Sequence, residues 1–89
     1  MKYEIEFSKK FKKSLRKLSE NDQELVADIV DRLANNETLE QKYNDHALKG
    51  NFAGFRECHI KPNLLLIYEK QDDILVLYCL NVGSHSELF

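Results

Sequence analysis

The chain opens on a strict alternation, with Tyr3, Ile5 and Phe7 apolar against Lys2, Glu4 and Glu6 polar, which is the period of a strand with one buried face. The spacing lengthens after Ser8. Phe11, Leu15 and Leu18 recur at helical intervals with lysines between them, so a helix capped by Ser8 is predicted to run to about Ser19-Glu20. Asn21 with Glu24 three residues on reads as a capping box, and Leu25, Val26, Ile29, Val30 and Leu33 form the stripe of a second helix, which Asn35-Asn36 breaks. These segments predict an αα-hairpin.

Residues 37–54 carry no sustained period and read as an irregular connection with a short helix or strand near His46–Lys49. Three strands are predicted after it, at 55–60, 64–68 and 74–80, the last two being continuous apolar runs suited to burial on both faces. Pro62-Asn63 and Gln71-Asp72-Asp73 supply the turns. Gly83 ends the last strand and frees the backbone to carry Ser84–Phe89 back across the sheet. The order β-α-α-β-β-β predicts one α+β domain over residues 1–89, a helical hairpin packed on a curved, mostly antiparallel sheet. A domain of 89 residues builds one modest core, and reliance on a partner is expected.

Composition changes this picture little: 43% hydrophobic and 31% charged residues are ordinary for a globular domain. No targeting segment and no apolar run of the ~20 residues that span a bilayer is apparent, so a cytoplasmic address without membrane contact is expected. Cys58 and Cys79 are expected to be reduced, structural thiols. Cys58 adjoins His59, but strand neighbours point to opposite faces, which argues against a Cys-His nucleophile.

Charge is more informative. The net charge of −2 conceals a basic first helix, with Lys9, Lys10, Lys12, Lys13, Arg16 and Lys17, followed by an acidic second one. Such a stripe can track a phosphate backbone; the plainer alternative is a solvated face. All three histidines lie in the second half, in Asp45-His46-Ala47-Leu48-Lys49-Gly50, Phe55-Arg56-Glu57-Cys58-His59-Ile60-Lys61-Pro62 and Gly83-Ser84-His85-Ser86-Glu87-Leu88-Phe89. An imidazole with its ordinary pKa of about 6.5 both takes and gives a proton near neutrality, and beside cations it suits acid–base chemistry on a phosphodiester. A tri-histidine zinc site is the competing reading, but the short ligand spacings of metal motifs are missing. Ser84 and Ser86 flank His85 without forming a triad.

In motif and order these three segments, the middle one extended through Asn63-Leu64-Leu65-Leu66-Ile67-Tyr68, resemble the YafQ branch of the RelE/ParE toxin superfamily. The first half resembles it in architecture only. The resemblance implies a RelE-like fold and a toxin of a bacterial type II toxin–antitoxin system: an endoribonuclease that cuts messenger RNA in the ribosomal A site. It also implies that no metal or cofactor is needed, that a DinJ- or RelB-like antitoxin silences it, and that operator DNA is met only through that antitoxin. His46, His59 and His85 match the catalytic histidines. His59 and His85 are the leading acid–base pair, with the order of base and acid left open, and His46 orients substrate or shares the proton traffic. Lys49, Arg56, Lys61, Asn63, Asn81 and Phe89 are the expected substrate contacts, and the cations of the first helix are expected on ribosomal RNA. Phe89 stacks on a base or closes the core edge. The family pattern commonly has Asp where this chain has Asn63 and Arg where it has Asn81; asparagine is neither a base nor a cation. The alternative is therefore a weakened member that serves as an antitoxin-binding co-repressor.

Overall fold

A computed structural model describes residues 2–89; Met1, first residue of the predicted domain, lies outside the described residues. Strand β1 (Glu4–Phe7) leads into helix α1 (Lys9–Arg16) and helix α2 (Glu20–Ala34). A 3-10 turn at Gln41–Tyr43 precedes the two-residue strand β2 (His46–Ala47), and a second at Gly50–Phe52 precedes β3 (Arg56–Lys61). Strands β4 (Leu64–Gln71) and β5 (Val76–Gly83) and the short helix α3 (His85–Leu88) complete the chain. The sheet order is β1-β5-β4-β3-β2, with β1 parallel to β5 and the other pairs antiparallel. The α+β architecture is as expected, with β2 added at the edge of the sheet.

Local chemistry sets the helix boundaries. The Ser8 hydroxyl accepts from the Phe11 N–H at 2.9 Å and starts α1. Helix α2 is capped by Ser19, whose hydroxyl accepts from Asp22 N at 3.1 Å, and not by Asn21. The reason is length: α1 ends at Arg16, two residues earlier than its apolar spacing suggests, which leaves Ser19 extended and free to cap. Asn36 then takes a left-handed φ of 62° and ends α2 as its sequence predicts.

The core lies between the helical hairpin and one face of the sheet. Phe11, Val26, Ile29, Val30 and Leu33 pack with Cys58, Ile60, Leu64, Leu66, Tyr68, Leu77, Cys79 and Val82. Leu65 and Ile67 alternate to the opposite face and are buried there too, as two-sided burial of β4 requires. Strand β5 begins two residues later than predicted. Ile74 and Leu75 are exposed in the turn, where Leu75 holds a φ of 52° so that the chain can reverse. Irregularities interrupt the ladders between His59 and Lys61 and between Ile67 and Tyr68. The first keeps Ile60 in the core while Lys61 reaches Asp22 of α2, with Nζ 2.8 Å from Oδ1.

Candidate active site

Cys58 and Ile60 of β3 enter the core, so Glu57 and His59 point to the other face. The β2–β3 register sets His46 directly opposite Glu57. Glu57 is 5% exposed, the single buried charged side chain among the described residues. Its Oε1 lies 3.1 Å from Nε2 of His59 and 3.7 Å from Nε2 of His46, so one carboxylate faces both imidazoles. The two rings are 6.4 Å apart, and the Asn44 carbonyl oxygen accepts from Nδ1 of His46 at 2.6 Å. A buried carboxylate costs stability unless a donor meets it, and of the two rings only His59 stands at hydrogen-bond distance.

His85 arrives from the far side of β4. Register aligns His59 with Leu65 and Leu65 with Gly83, so Gly83 is two strands, or roughly 10 Å, from His59, and His85 begins α3 two residues later. Within α3 the ring of Phe89 lies 5.1 Å from His85 and 5.4 Å, edge-on, from Phe52 of the β2–β3 connection. Phe89 remains half exposed. The start of the helix is held by Glu87: the Ser84 N–H donates to Glu87 Oε1 at 2.9 Å and the Ser84 hydroxyl donates to the same oxygen at 2.8 Å. Gly83 serves this contact by size, since a Cβ there would sit 3.1 Å from Glu87 Oε1; its φ is not left-handed, contrary to the conformational role expected of it.

The Ser84 backbone N–H, and then its hydroxyl, hold the Glu87 carboxyl below the ordinary range. A depressed folded value means that this support is complete at neutral pH, above the unfolded value, and is lost as acid titrates the folded carboxylate. Glu87→Ala is accordingly expected to fray α3. Amide exchange at Leu88 and Phe89, whose N–H groups donate to the Ser84 and His85 carbonyls, should accelerate at least several-fold; unchanged protection would show that Phe89 packing alone holds the segment.

The remaining predicted contacts divide. Lys9, Lys10, Lys12, Lys13, Arg16 and Lys17 are all exposed and form no ion pair among the described residues, and Lys49 is equally free. Arg56 sits on the Tyr68 side of β3, away from Glu57 and His59, and donates to Asp45 Oδ1 at 3.2 Å, the oxygen that Tyr68 also donates to at 2.7 Å. Lys61 is tied to Asp22, Asn63 occupies the β3–β4 turn, and Asn81 Oδ1 accepts from the Ser14 hydroxyl at 2.8 Å and from Val82 N at 2.9 Å. Burial pushes the thiols of Cys58 and Cys79 up to about 12, and Cys58 faces the core while His59 does not, so the two form no nucleophilic pair. Sequence reasoning passed over Glu57. It also passed over Lys42, Tyr43 and Asn44, which with His59 and Pro62 line a cleft of about 390 Å³. A glutamate two residues before a candidate histidine, and so on the same face of the strand, was the available signal.

A five-stranded, mostly antiparallel sheet under a helical hairpin whose first helix is basic, with histidines and a buried carboxylate on the opposite face, is the architecture of a RelE-type toxin domain. A family model described as "Bacterial toxin of type II toxin-antitoxin system, YafQ" matches residues 3–89, and the chain belongs to that family. The crystal structure of a metal-bound toxin from Helicobacter pylori superposes with a TM-score of 0.88 at 47% identity, covering 98% of this chain and 99% of that one. The mRNA interferase toxin YafQ of Escherichia coli K12 is 29% identical over 89 residues, covering 97% of this chain and 95% of its own length. The toxin in a crystallised E. coli DinJ-YafQ complex gives a TM-score of 0.86 at 30% identity, with 98% of each chain covered.

Proposed function

We propose that this toxin is a ribosome-dependent endoribonuclease that enters the A site and cuts messenger RNA by histidine acid–base catalysis, in the cytoplasm, under the control of a DinJ-like antitoxin through which alone it meets operator DNA. The observation that carries the reading is the pair of imidazoles on the buried Glu57 carboxylate, two strands from the segment that bears His85. One imidazole removes the proton of the 2′-hydroxyl, whose oxygen then bonds to phosphorus. The bond from phosphorus to the 5′-oxygen breaks, and a second, protonated imidazole gives its proton to that oxygen. The products are a 2′,3′-cyclic phosphate, or the 3′-phosphate from its opening, and a 5′-hydroxyl. Positive charge near the phosphate comes from Lys49, since Arg56 and Lys61 are both engaged with carboxylates. Phe89, half exposed, is suited to stack on a base.

The H. pylori relative is described as metal-bound. Among the described residues of this chain no group of three or more His, Cys, Asp or Glu side chains is disposed to hold a metal ion. No step above uses a metal.

Purified protein added to translating ribosomes on a defined message should leave discrete 5′ ends on primer extension, and none on ribosome-free RNA. The weakened-member reading has its own observation. Asn81 stands where the family commonly has Arg, and its oxygen is spent on Ser14 and Val82. Asn81→Arg is therefore expected to raise cutting about tenfold or more if a missing cation limits the site; an unchanged rate, with wild-type protein already active, removes that reading.

A further inference from the structure

We propose that Glu57 is the positioning residue of His59: it fixes the Nε2–H tautomer of that ring, while the Asn44 carbonyl fixes the opposite tautomer on His46, so that His59 offers Nδ1 and His46 offers Nε2 as the proton-accepting nitrogen. The inference rests on the acid–base reading above and goes beyond it by assigning which ring atoms work. Glu57 is acceptor-only when ionised, and it lies 3.1 Å from Nε2 of His59, so that nitrogen carries the proton and donates. Nδ1 of His59 has no protein partner among the described residues, and the ring is 30% exposed toward the cleft that Lys42, Tyr43 and Asn44 help to line. His46 is set the other way. Its Nδ1 lies 2.6 Å from the Asn44 carbonyl oxygen, which accepts only, so Nδ1 carries the proton and Nε2 keeps the lone pair, turned toward Glu57 at 3.7 Å.

The same carboxylate then stabilises whichever ring gains a proton from the 2′-hydroxyl. A carboxylate that orients an imidazole in this way is worth about 10⁴-fold in the serine-protease triad, where its amide replacement leaves the wrong tautomer. Here a second imidazole shares the anion, and a smaller effect is expected. The register that brings His46 against Glu57 also explains why the short strand β2 lies where it does.

The test is Glu57→Gln, which keeps size and can still accept a hydrogen bond but also donates one. In the free protein at a pH where both rings are neutral, 15N-detected imidazole spectra of the wild type should show His59 as the Nε2–H form and His46 as the Nδ1–H form. In Glu57→Gln the His59 preference should collapse to a mixture. On ribosomes the same variant should lose about 10²–10³-fold in kcat with little change in KM, and a thermal midpoint near that of the wild type would separate this from unfolding. If Glu57→Gln is unstable, Glu57→Asp, which withdraws the carboxylate by one methylene, must give the same loss of tautomer preference. An unchanged His59 tautomer, or a kcat within about threefold of the wild type, overturns the assignment. Wild-type protein that shows the two tautomers and loses the His59 preference in Glu57→Gln, yet cuts no message, would uphold the assignment of Glu57 and remove the ribonuclease reading instead.

Discussion

Replacing His59 by alanine is expected to lower ribosome-dependent cutting by about 10²–10⁴-fold, the usual contribution of one positioned acid–base group. The substitution does two things. It removes the imidazole that faces the cleft, and it leaves Glu57, 5% exposed, with only the more distant Nε2 of His46. The second effect costs stability, of order 1–3 kcal/mol for a buried acceptor deprived of its donor, and would by itself reduce activity through unfolding. His59→Gln separates the two, because its amide donates to Glu57 but transfers no proton near neutrality. Its melting temperature should return toward the wild type while its rate stays at the alanine level. His85→Ala should lose rate by a similar factor with no cost to the core, since the ring is exposed and lies beside the half-exposed Phe89. The readout is primer extension of a defined message over time. Rates within threefold of the wild type for both His59→Ala and His85→Ala would sink the acid–base mechanism as a whole.

What the sequence made legible follows the strength of each local signal. The alternation before Ser8 and the apolar runs of β4 and β5 report burial directly, because period two and two-sided burial leave few other readings. Strand β2 was legible only as a short helix or strand near His46–Lys49. Two residues cannot show a period, and His46–Ala47 pairs only because Glu57 and Arg56 lie opposite. The Ser19 cap was missed because Ser19 and Asn21 are both good caps, and the choice depends on where α1 stops, which Phe11, Leu15 and Leu18 do not mark. In the site, the histidines stood out by residue type and by resemblance, whereas Glu57 reads as one more surface acid until the register turns it inward. Arg56 and Lys61 were assigned to substrate on charge. Charge in sequence does not reveal the carboxylate partner, and both partners, Asp45 and Asp22, are distant along the chain.

Phe11→Ala is expected to be the most destabilising single change, at about 3–5 kcal/mol, the range for emptying a buried aromatic site. Phe11 is 1% exposed and is the one fully buried side chain of α1, so it carries the attachment of that helix to the sheet. Its ring stacks on Phe7 at a centroid distance of 4.9 Å, which couples the end of β1 to the helix. The site cannot collapse around the vacancy. A cleft of about 120 Å³ lined by Ile5, Phe7, Leu15, Val26 and Val30 already adjoins it, and truncation merges the two into a larger opening between α1 and α2. For a domain of this size, where total stability is of order 5–10 kcal/mol, such a loss removes about half of it and lowers the thermal midpoint by more than about 10 °C. Scanning calorimetry on the purified variant checks this, and a midpoint within 3 °C of the wild type would show that β1 and α2 hold the core without α1. The rate per folded molecule should be preserved at low temperature, because His46, Glu57 and His59 stand on β2 and β3, on the face of the sheet away from Phe11. This contrast with His59→Gln, expected to keep the fold and lose the rate, would place the core and the chemistry on opposite sides of one sheet.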